Sequence, residues 1–286
     1  MDNANPQSQL ATLLVSCPDR HGLVAALAQF LTAHDANIVH AEQHRDPVTG
    51  LFFQRMQFDT SEMPPDRGGL EDGLRGLAKH YRMQWNLYYG AAIQRLAIFV
   101  SKTDHCLYDL VLRQRSGELH CEIPLIISNH DDLRSVAAHF EIPFHHFPGG
   151  PKAERKQLEL LRKHKIDLVV LARYMQILSP AFVAKYPERI INIHHSFLPA
   201  FAGGKPYHQA LEHGVKLVGA TSHYVTAELD TGPIIEQDVV RISHRDEVAD
   251  LVEKGRDLER IVLSRAVRWH LEHRVLSYGN KTVVFD

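Results

Sequence analysis

The feature that most constrains the fold is a series of short, uninterrupted apolar runs that alternate with helical patterns. The runs lie at residues 95–100, 123–128, 142–147, 166–171 and 189–194. The helical patterns between them lie at residues 104–114, 131–140, 152–164 and 180–186. Continuous apolar strands are typical of a parallel sheet covered by helices on both faces. We therefore predict an open, doubly wound, mostly parallel α/β sheet, in which ligands bind beyond the carboxyl ends of the strands.

The first part of the chain has a different rhythm, with two helices set among four strands. Strand patterns occupy residues 10–16, 36–45, 51–58 and 82–89, and helical spacing follows Gly22 and recurs from Leu70 to Tyr81. The order β-α-β-β-α-β is that of a ferredoxin-like sandwich. We predict two domains, over residues 1–88 and 89–286. Strands at 216–225 and 233–242 and a helix at 246–276 complete the second.

Composition and charge exclude several classes of protein. The formal net charge of −2 provides no basic field for nucleic acid. No run approaches the roughly 20 apolar residues of a membrane span, and the polar start of the chain has no signal-sequence pattern. The three cysteines form no paired motif, which favours free thiols. We expect a cytoplasmic protein that binds neither nucleic acid nor membrane and that can still hold a small anionic substrate.

Polar residues collect where the last of the apolar strands ends, in the sequence NIHHSFLP at 192–199. Because side chains alternate along a strand, Asn192 and His194 point to one side and Ile193 to the other. The strand thus presents an amide and an imidazole together at the carboxyl edge of the sheet. A second stretch, ELDTGP, has turn chemistry and offers the carboxylate of Asp230.

These three groups are sufficient to hydrolyse an acyl group without a covalent intermediate. The amide stabilises a developing oxyanion, the imidazole moves a proton, and the carboxylate keeps the imidazole protonated and orients the water. From spacing alone an ordinary alternative stays open. A buried Asn–His pair at a strand end is often structural, and Asp230 is a common turn residue.

The two stretches together carry a family resemblance. NIHHSFLPAF followed by GATSHYVTAELDTGPIIEQ resembles the paired motifs of the enzymes that transfer or hydrolyse the formyl group of formyltetrahydrofolate. The resemblance covers nearly all of residues 90–286 and implies that Asn192, His194 and Asp230 are catalytic. LARYMQILSP resembles the folate pocket of that family. The substrate-binding residues implied are Arg173, Met175, Gln176, Ile177, Leu178, His223 and Val225.

Within that pocket, the charged contact and the apolar side chains lead to different expectations. Gln176 stands where the transferases commonly have arginine, so Arg173 is expected to replace the missing contact to the glutamate tail of folate. The apolar side chains Met175, Ile177 and Leu178 are expected to lie against the pterin. Ordinary core packing is the alternative for these three.

Later motifs resemble the hydrolytic branch of the family. GKPYHQA, VEKGRDLERIVLSRAVRWHLEHRV and the terminal YGNKTVVF carry this resemblance. The transferases hold a ribonucleotide phosphate on a glycine-rich turn after the first strand, where this chain has VSKTDH. Without glycine the backbone does not approach a phosphate closely. We interpret Asp104 as a helix N-cap and Lys102 as a solvated lysine, with an anion contact as its alternative.

The resemblance implies that the chain hydrolyses 10-formyltetrahydrofolate to formate and tetrahydrofolate, supplies formate for purine biosynthesis, and needs no cofactor. Two alternatives are a formyltransferase resembling glycinamide ribonucleotide transformylase and a non-catalytic folate-sensing protein. A metal hydrolase is a third, although adjacent histidines point to opposite faces and no zinc motif occurs, so we expect no metal. The histidines weighed for it are His145, His146, His194, His195, His208, His213 and His223.

The segment LLVSCPDRHGLVAALAQFLTAHDANI resembles an ACT domain, a small-molecule sensor that commonly binds amino acids. The resemblance depends on Asp19, Arg20 and Gly22 at the strand-to-helix turn and on Asn37 and Ile38 after the helix. Free backbone N–H groups at such a turn suit an amino-acid carboxylate. It implies methionine and glycine as effectors and a homodimer or tetramer formed by pairing of sheet edges. Assembly alone is the alternative role.

Overall fold

The computed structural model describes residues 9–63, 68–200 and 206–286, which form two compact units. The first unit extends to Ile93 and also includes residues 273–276 and 283–286, whereas the second contains residues 94–272 and 277–282. Hydrogen bonding of the first sheet continues beyond residue 88, since Gly90 N donates to Leu10 O at 2.8 Å. The terminal segments of the first unit were assigned by sequence to the second domain.

The first unit is a two-layer sandwich of a four-stranded antiparallel sheet and two helices. Its elements are β1 Leu10–Pro18, α1 Leu23–Thr32, β2 Asn37–Asp46, β3 Leu51–Asp59, α2 Gly68–Tyr81 and β4 Gln84–Tyr89. The strand order is β2-β3-β1-β4, which leaves β2 at an edge. Leu27 and Leu74 of the helices pack in one buried cluster with Leu13 and Phe58 of the sheet. The predicted β-α-β-β-α-β sandwich is confirmed.

The second unit is built on a seven-stranded sheet with the order β11-β10-β9-β8-β5-β6-β7. Its strands are β5 Gln94–Val100, β6 Cys121–Ser128, β7 Phe144–His146, β8 Leu168–Ala172, β9 Ile190–His194, β10 Leu217–Tyr224 and β11 Ile234–Arg241. Its helices are α3 His105–Arg115, α4 Arg134–His139, α5 Pro151–Lys163, α6 Pro180–Val183, α7 Pro206–Glu212 and α8 Val248–Leu271. β5 to β9 are parallel, and β10 and β11 are antiparallel to their neighbours. The predicted doubly wound, mostly parallel sheet is confirmed.

The topology places a crevice at the carboxyl edge of this sheet. Strand β5 pairs with β6 on one side and with β8 on the other, so the winding direction reverses there. Every residue of β8 is buried, as expected for a strand covered on both faces. Ligands of open α/β sheets bind beyond the strand ends at such a reversal. A ligand is therefore expected to bind at the loops after β8 and β9.

Two helices end at least three residues before the sequence predicts, and α4 spans Arg134–His139 rather than residues 131–140. Helix α8 ends at Leu271 rather than at residue 276, because His273 adopts a left-handed φ of 52°. A hairpin of β12 Val275–Tyr278 and β13 Lys281–Val284 follows, turning at Gly279 with φ 55°. Helix α6 stops at Val183 rather than at residue 186. Across the described ranges, no helix has the length and apolar character needed to cross a bilayer.

Candidate active site

A cleft of about 370 Å³ lies at the carboxyl edge of the second sheet. It is bounded by the loop after β8, the end of β9, and the loop between β10 and β11. The sequence-predicted residues that line it are Arg173, Met175, Gln176, Ile177, Leu178, Asn192, His194, His223, Val225 and Asp230. All the catalytic and substrate-binding candidates, drawn from three separate stretches of sequence, thus meet at one cavity.

The centre of the cleft is an imidazole paired with a carboxylate. His194 Nδ1 lies 3.2 Å from Asp230 Oδ2, and both side chains are largely buried. The other ring nitrogen, Nε2, is buried and has no hydrogen-bond partner within the described parts of the chain. Asp230 therefore fixes the orientation of the His194 ring, and Nε2 is left for a ligand.

The loop that carries Asp230 has a strained and tightly packed backbone. Asp230 has φ 55°, a left-handed conformation that a non-glycine residue adopts at a cost. Two residues later, a Cβ placed on Gly232 would lie 1.8 Å from the carbonyl oxygen of Tyr224. Glycine at 232 is required because the loop lies directly against strand β10. Hydrogen bonds from His194, and then from His223, hold the pKa of Asp230 well below its usual range.

His223 connects the amide to this pair. Strand β10 sets His223 opposite Asn192 on β9. Nδ1 of His223 donates to the carbonyl oxygen of Tyr224 at 3.0 Å, and its Nε2 lies 3.2 Å from Asn192 Nδ2 and 3.6 Å from Asp230 Oδ1. Asn192 Nδ2 keeps its second N–H, and Asn192 lines the cleft. The amide is thus held in place as a donor.

The loop after β8 forms an apolar wall. Met175 and Ile177 are 61% and 72% exposed, so core packing does not account for them. Leu178 is 6% exposed and belongs to the buried cluster beneath the sheet edge, so the packing alternative holds for Leu178, which also lines the cleft. Ser101 at the end of β5 anchors this loop, because Met175 N donates to Ser101 Oγ at 2.9 Å.

Arg173 lines the same cleft, but its charge is already paired. Its Nε lies 3.5 Å from Oε2 of Glu259, a buried carboxylate on α8 that the sequence analysis did not single out.

The turn after β5 differs from the sequence prediction in how the next helix is capped. Asp104 occupies the N-cap position of α3 without a capping hydrogen bond from its side chain, and Lys102 is exposed, as a solvated lysine would be.

In the described part of the chain, one set of potential metal ligands converges closely, and it contains none of the histidines weighed in the sequence. Over residues 9–63, 68–200 and 206–286, the one set of His, Cys, Asp or Glu atoms that converges closely is His105, Cys106 and Glu259. Zinc binds the thiolate, whereas burial raises the pKa of the Cys106 thiol well above its ordinary value. Glu259 already accepts a hydrogen bond from His105 at 2.8 Å. All three cysteines are free and buried, in agreement with the sequence.

In the first unit, the predicted effector residues form two separate groups. Gly22, with φ 87°, begins α1 beyond the end of β1. Asp19 there accepts a hydrogen bond from Arg45 at 2.5 Å, and Arg20 donates to His80 O at 2.8 Å. Asn37 and Ile38 begin β2, level with the start of β1 at the opposite end of the sheet. The nine residues of β1 separate the groups by about 26 Å. One chain does not bring them together.

Comparison with known proteins agrees with the fold of both units. Residues 94–267 match the Formyl transferase family and residues 11–67 match the ACT domain family. The solved glycinamide ribonucleotide transformylase 1 from Symbiobacterium toebii is similar over 70% of this chain and 98% of its own, with a TM-score of 0.66 and 32% identity. The class is therefore a formyl transferase catalytic domain preceded by an ACT domain.

Two further relatives narrow the class. The formyltetrahydrofolate deformylase from Synechocystis sp. is 56% identical over 98% of this chain and 99% of its own length. The crystal structure of a formyltetrahydrofolate deformylase from Pseudomonas syringae pv. tomato superposes with a TM-score of 0.93 and 48% identity, covering 97% of this chain and 94% of that one. The chain belongs to the family of the formyltetrahydrofolate deformylases.

Proposed function

We propose that this chain hydrolyses 10-formyltetrahydrofolate to formate and tetrahydrofolate. The observation that carries the proposal is the pairing of His194 with Asp230 beside Asn192, in a cleft whose apolar wall fits a flat folate ring. Deformylase relatives that align over nearly the whole chain, including the first unit, support water as the acceptor. Formate released in this way supplies purine biosynthesis, and the three free thiols favour a cytoplasmic location.

In the proposed reaction, a water molecule attacks the formyl carbon bound to N10. The free N–H of Asn192 and a protonated Nε2 of His194 stabilise the oxyanion as it develops, because both groups face the cleft before the reaction begins. Asp230, whose low pKa keeps it ionised, orients His194 and stabilises positive charge on that ring. The C–N10 bond then breaks, N10 takes a proton, and tetrahydrofolate leaves as a neutral amine.

His223 is proposed to hold Asn192 rather than to exchange protons with substrate. Its ring is 2% exposed, and both nitrogens already have partners on Tyr224 and Asn192. The protein's own groups supply each step, so we propose that no metal and no cofactor is required. Val225 and the exposed pair Met175 and Ile177 are proposed to contact the pterin.

The two alternative functions fit less well. A formyltransferase requires a site for its acceptor, and the turn after β5 has no glycine and places exposed Lys102 beside Asp104. A folate sensor without activity has no need for a buried imidazole with an unpartnered nitrogen, because such a group costs stability. Hydrolysis requires no nucleotide site, and it uses the unpartnered Nε2 of His194.

The decisive experiment compares Asp230→Asn with the unmodified chain. We expect formate release from 10-formyltetrahydrofolate to fall by at least about 100-fold, since the charge that supports His194 is lost. Tetrahydrofolate binding, measured by calorimetry, should change by less than about threefold because the apolar wall is intact. A parallel assay with glycinamide ribonucleotide tests transfer. Unchanged formate release in Asp230→Asn, or formylation of the nucleotide, contradicts the proposal.

We further propose that the first unit senses an amino acid, methionine or glycine, at a site shared by two copies of the chain. Strand β2 is an edge strand, and most of its residues are exposed. Antiparallel pairing of two β2 strands brings Asn37 and Ile38 of one copy next to the Asp19–Gly22 turn of the other. This pairing supports a homodimer, which is the building block of a tetramer.

The arrangement predicts that effector binding and assembly depend on the same edge. Val39 is 52% exposed and is the residue skipped in the β2–β3 register, and Val39→Pro removes one backbone donor from this edge strand without altering a register pair. We expect this variant to be a monomer by sedimentation and to bind neither methionine nor glycine, while formate release without effector persists. A dimeric Val39→Pro variant that still responds to either amino acid contradicts the shared site.

A further inference from the structure

A second buried carboxylate, Glu259, lies next to the catalytic cleft and has no role in the reaction described above. It is 2% exposed on α8. Its Oε1 accepts a hydrogen bond from Tyr207 Oη at 3.2 Å, and its Oε2 accepts one from His105 Nε2 at 2.8 Å and pairs with Arg173 Nε at 3.5 Å. Burial opposes its charge, but His105 and then Arg173 outweigh that effect and hold the pKa of Glu259 below its ordinary value. Glu259 is therefore a fixed negative charge.

The surrounding backbone is built to hold this cluster. One turn before Glu259, a Cβ on Gly255 would lie 1.9 Å from Tyr207 Oη, so glycine is what lets the phenol reach the carboxylate. Arg173 has φ 62°, a left-handed conformation that is unfavourable for a non-glycine residue. An arginine kept in this conformation, with its charge held by a buried partner, indicates a guanidinium that is needed at this point.

Arg173 is close to the reacting centre. β8 lies beside β9 with Leu171 opposite Asn192, and Arg173 and His194 each follow two residues later. Both line the cleft. The buried Nε of Arg173 makes no hydrogen bond within the described chain, because its contact with Glu259 is an ion pair of 3.5 Å. The two Nη groups of Arg173 have no hydrogen-bond partner among the described residues, so they are the donors left for a ligand.

We propose that Arg173, positioned by Glu259, binds the formate product beside His194. This inference rests on the proposed hydrolysis, which forms a C–O bond from water, breaks the C–N10 bond, moves a proton to N10, and leaves a carboxylate where the formyl group was. A guanidinium binds a carboxylate through two parallel hydrogen bonds, which a neutral formyl group does not accept. The subsite thus recognises the product more strongly than the substrate.

Formate inhibition tests the proposal. The main variant is Arg173→Gly, which relieves the left-handed strain but removes one partner of the buried Glu259, so its folding is first checked by thermal unfolding and Arg173→Lys serves as the charge-retaining comparison. We expect its inhibition constant for sodium formate to rise at least tenfold, with sodium chloride as the control for ionic strength. Arg173→Lys should recover part of the inhibition, and Glu259→Gln should weaken it although residue 259 lies behind Arg173. An unchanged inhibition constant in Arg173→Gly overturns the proposal.

Direct binding separates this inference from the proposed function. Line broadening of ¹³C-formate is measured with the unmodified chain, with Asp230→Asn and with Arg173→Gly. Binding that is lost only in Arg173→Gly supports the subsite even where no formate is released from substrate. If Arg173→Gly instead weakens the binding of tetrahydrofolate that carries its glutamate tail and leaves formate binding intact, Arg173 contacts the tail and the formate subsite is rejected.

Discussion

Replacing Gly232 by alanine tests whether the Asp230 loop must lie against strand β10 for the reaction to occur. The new Cβ would lie 1.8 Å from the Tyr224 carbonyl oxygen, about half of a normal contact distance. Backbone faces it, so the loop has to move by at least about 1 Å. The Asp230–His194 contact, now 3.2 Å, then opens. Misplacement of a catalytic group by 1 Å costs about 100-fold in rate.

The assay is formate release, with thermal unfolding measured beside it. We expect kcat to fall about 100-fold and stability to fall by about 1–3 kcal/mol, as for an overpacked site. Gly76→Ala is the matched control, because that helical glycine has no atom within 4 Å of its added Cβ. It should keep full activity and gain about 0.5–1 kcal/mol. A Gly232→Ala enzyme with unchanged kcat refutes the reasoning.

Two further predictions concern the wall of the cleft and the layer behind it. Ile177→Ser should raise KM about tenfold with little change in unfolding temperature, because the 72% exposed side chain is expected to lose only its contact with substrate. The control is Val48→Ser on the first unit, where the side chain is 84% exposed, and it should change neither quantity. Equal KM values in the two variants contradict a substrate contact at Ile177. His270 accepts a hydrogen bond from Tyr224, and burial, then Arg189, lowers its pKa to about 4. The unfolded chain binds the extra proton between about pH 6.5 and 4, so stability falls as pH drops through that window, by about 2 kcal/mol at pH 5. Denaturant unfolding at pH 7 and pH 5 should show a loss that is about 2 kcal/mol smaller in His270→Gln than in the unmodified chain, because the partly buried His195, whose pKa is also lowered to about 4, contributes equally in both.

Much of the fold follows from local sequence, since buried parallel strands are apolar throughout and Asn192 and His194 share a face by strand alternation. Other features depend on backbone conformation. The left-handed φ of His273 ends α8, and the Gly279–Asn280 turn flanked by β-branched residues is a hairpin signal that helical spacing obscured. Sequence separation hides a third kind of feature, because a strand end and a turn 36 residues apart meet only through the pairing of β9 with β10.

The position of Glu259 in the sequence pattern of α8 indicates a buried carboxylate. It falls in the apolar stripe of α8, next to Leu258 and three residues before Val262, both buried. A lone carboxylate on a buried helical face is costly unless a cation or donor meets it. The stripe therefore predicts that a cation or a hydrogen-bond donor meets this carboxylate. The groups that do so are His105 on α3, Tyr207 on α7 and Arg173 in the loop after β8. Periodicity finds the buried charge, and only the fold supplies what neutralises it.

Each of the two carboxylates near the end of β9 is paired with a different cationic side chain, Asp230 with His194 and Glu259 with Arg173. Asp230 is bonded to His194, so that ring can carry positive charge during the reaction. His195 packs against Tyr207 on the Glu259 side, where burial, then Arg173 and His194, lowers its pKa to about 4. His195 is consequently neutral at pH 7, and Arg173 faces no second cation from that ring. His195 therefore adds no third positive charge to those of Arg173 and a protonated His194, each of which is paired with its own carboxylate, Glu259 and Asp230.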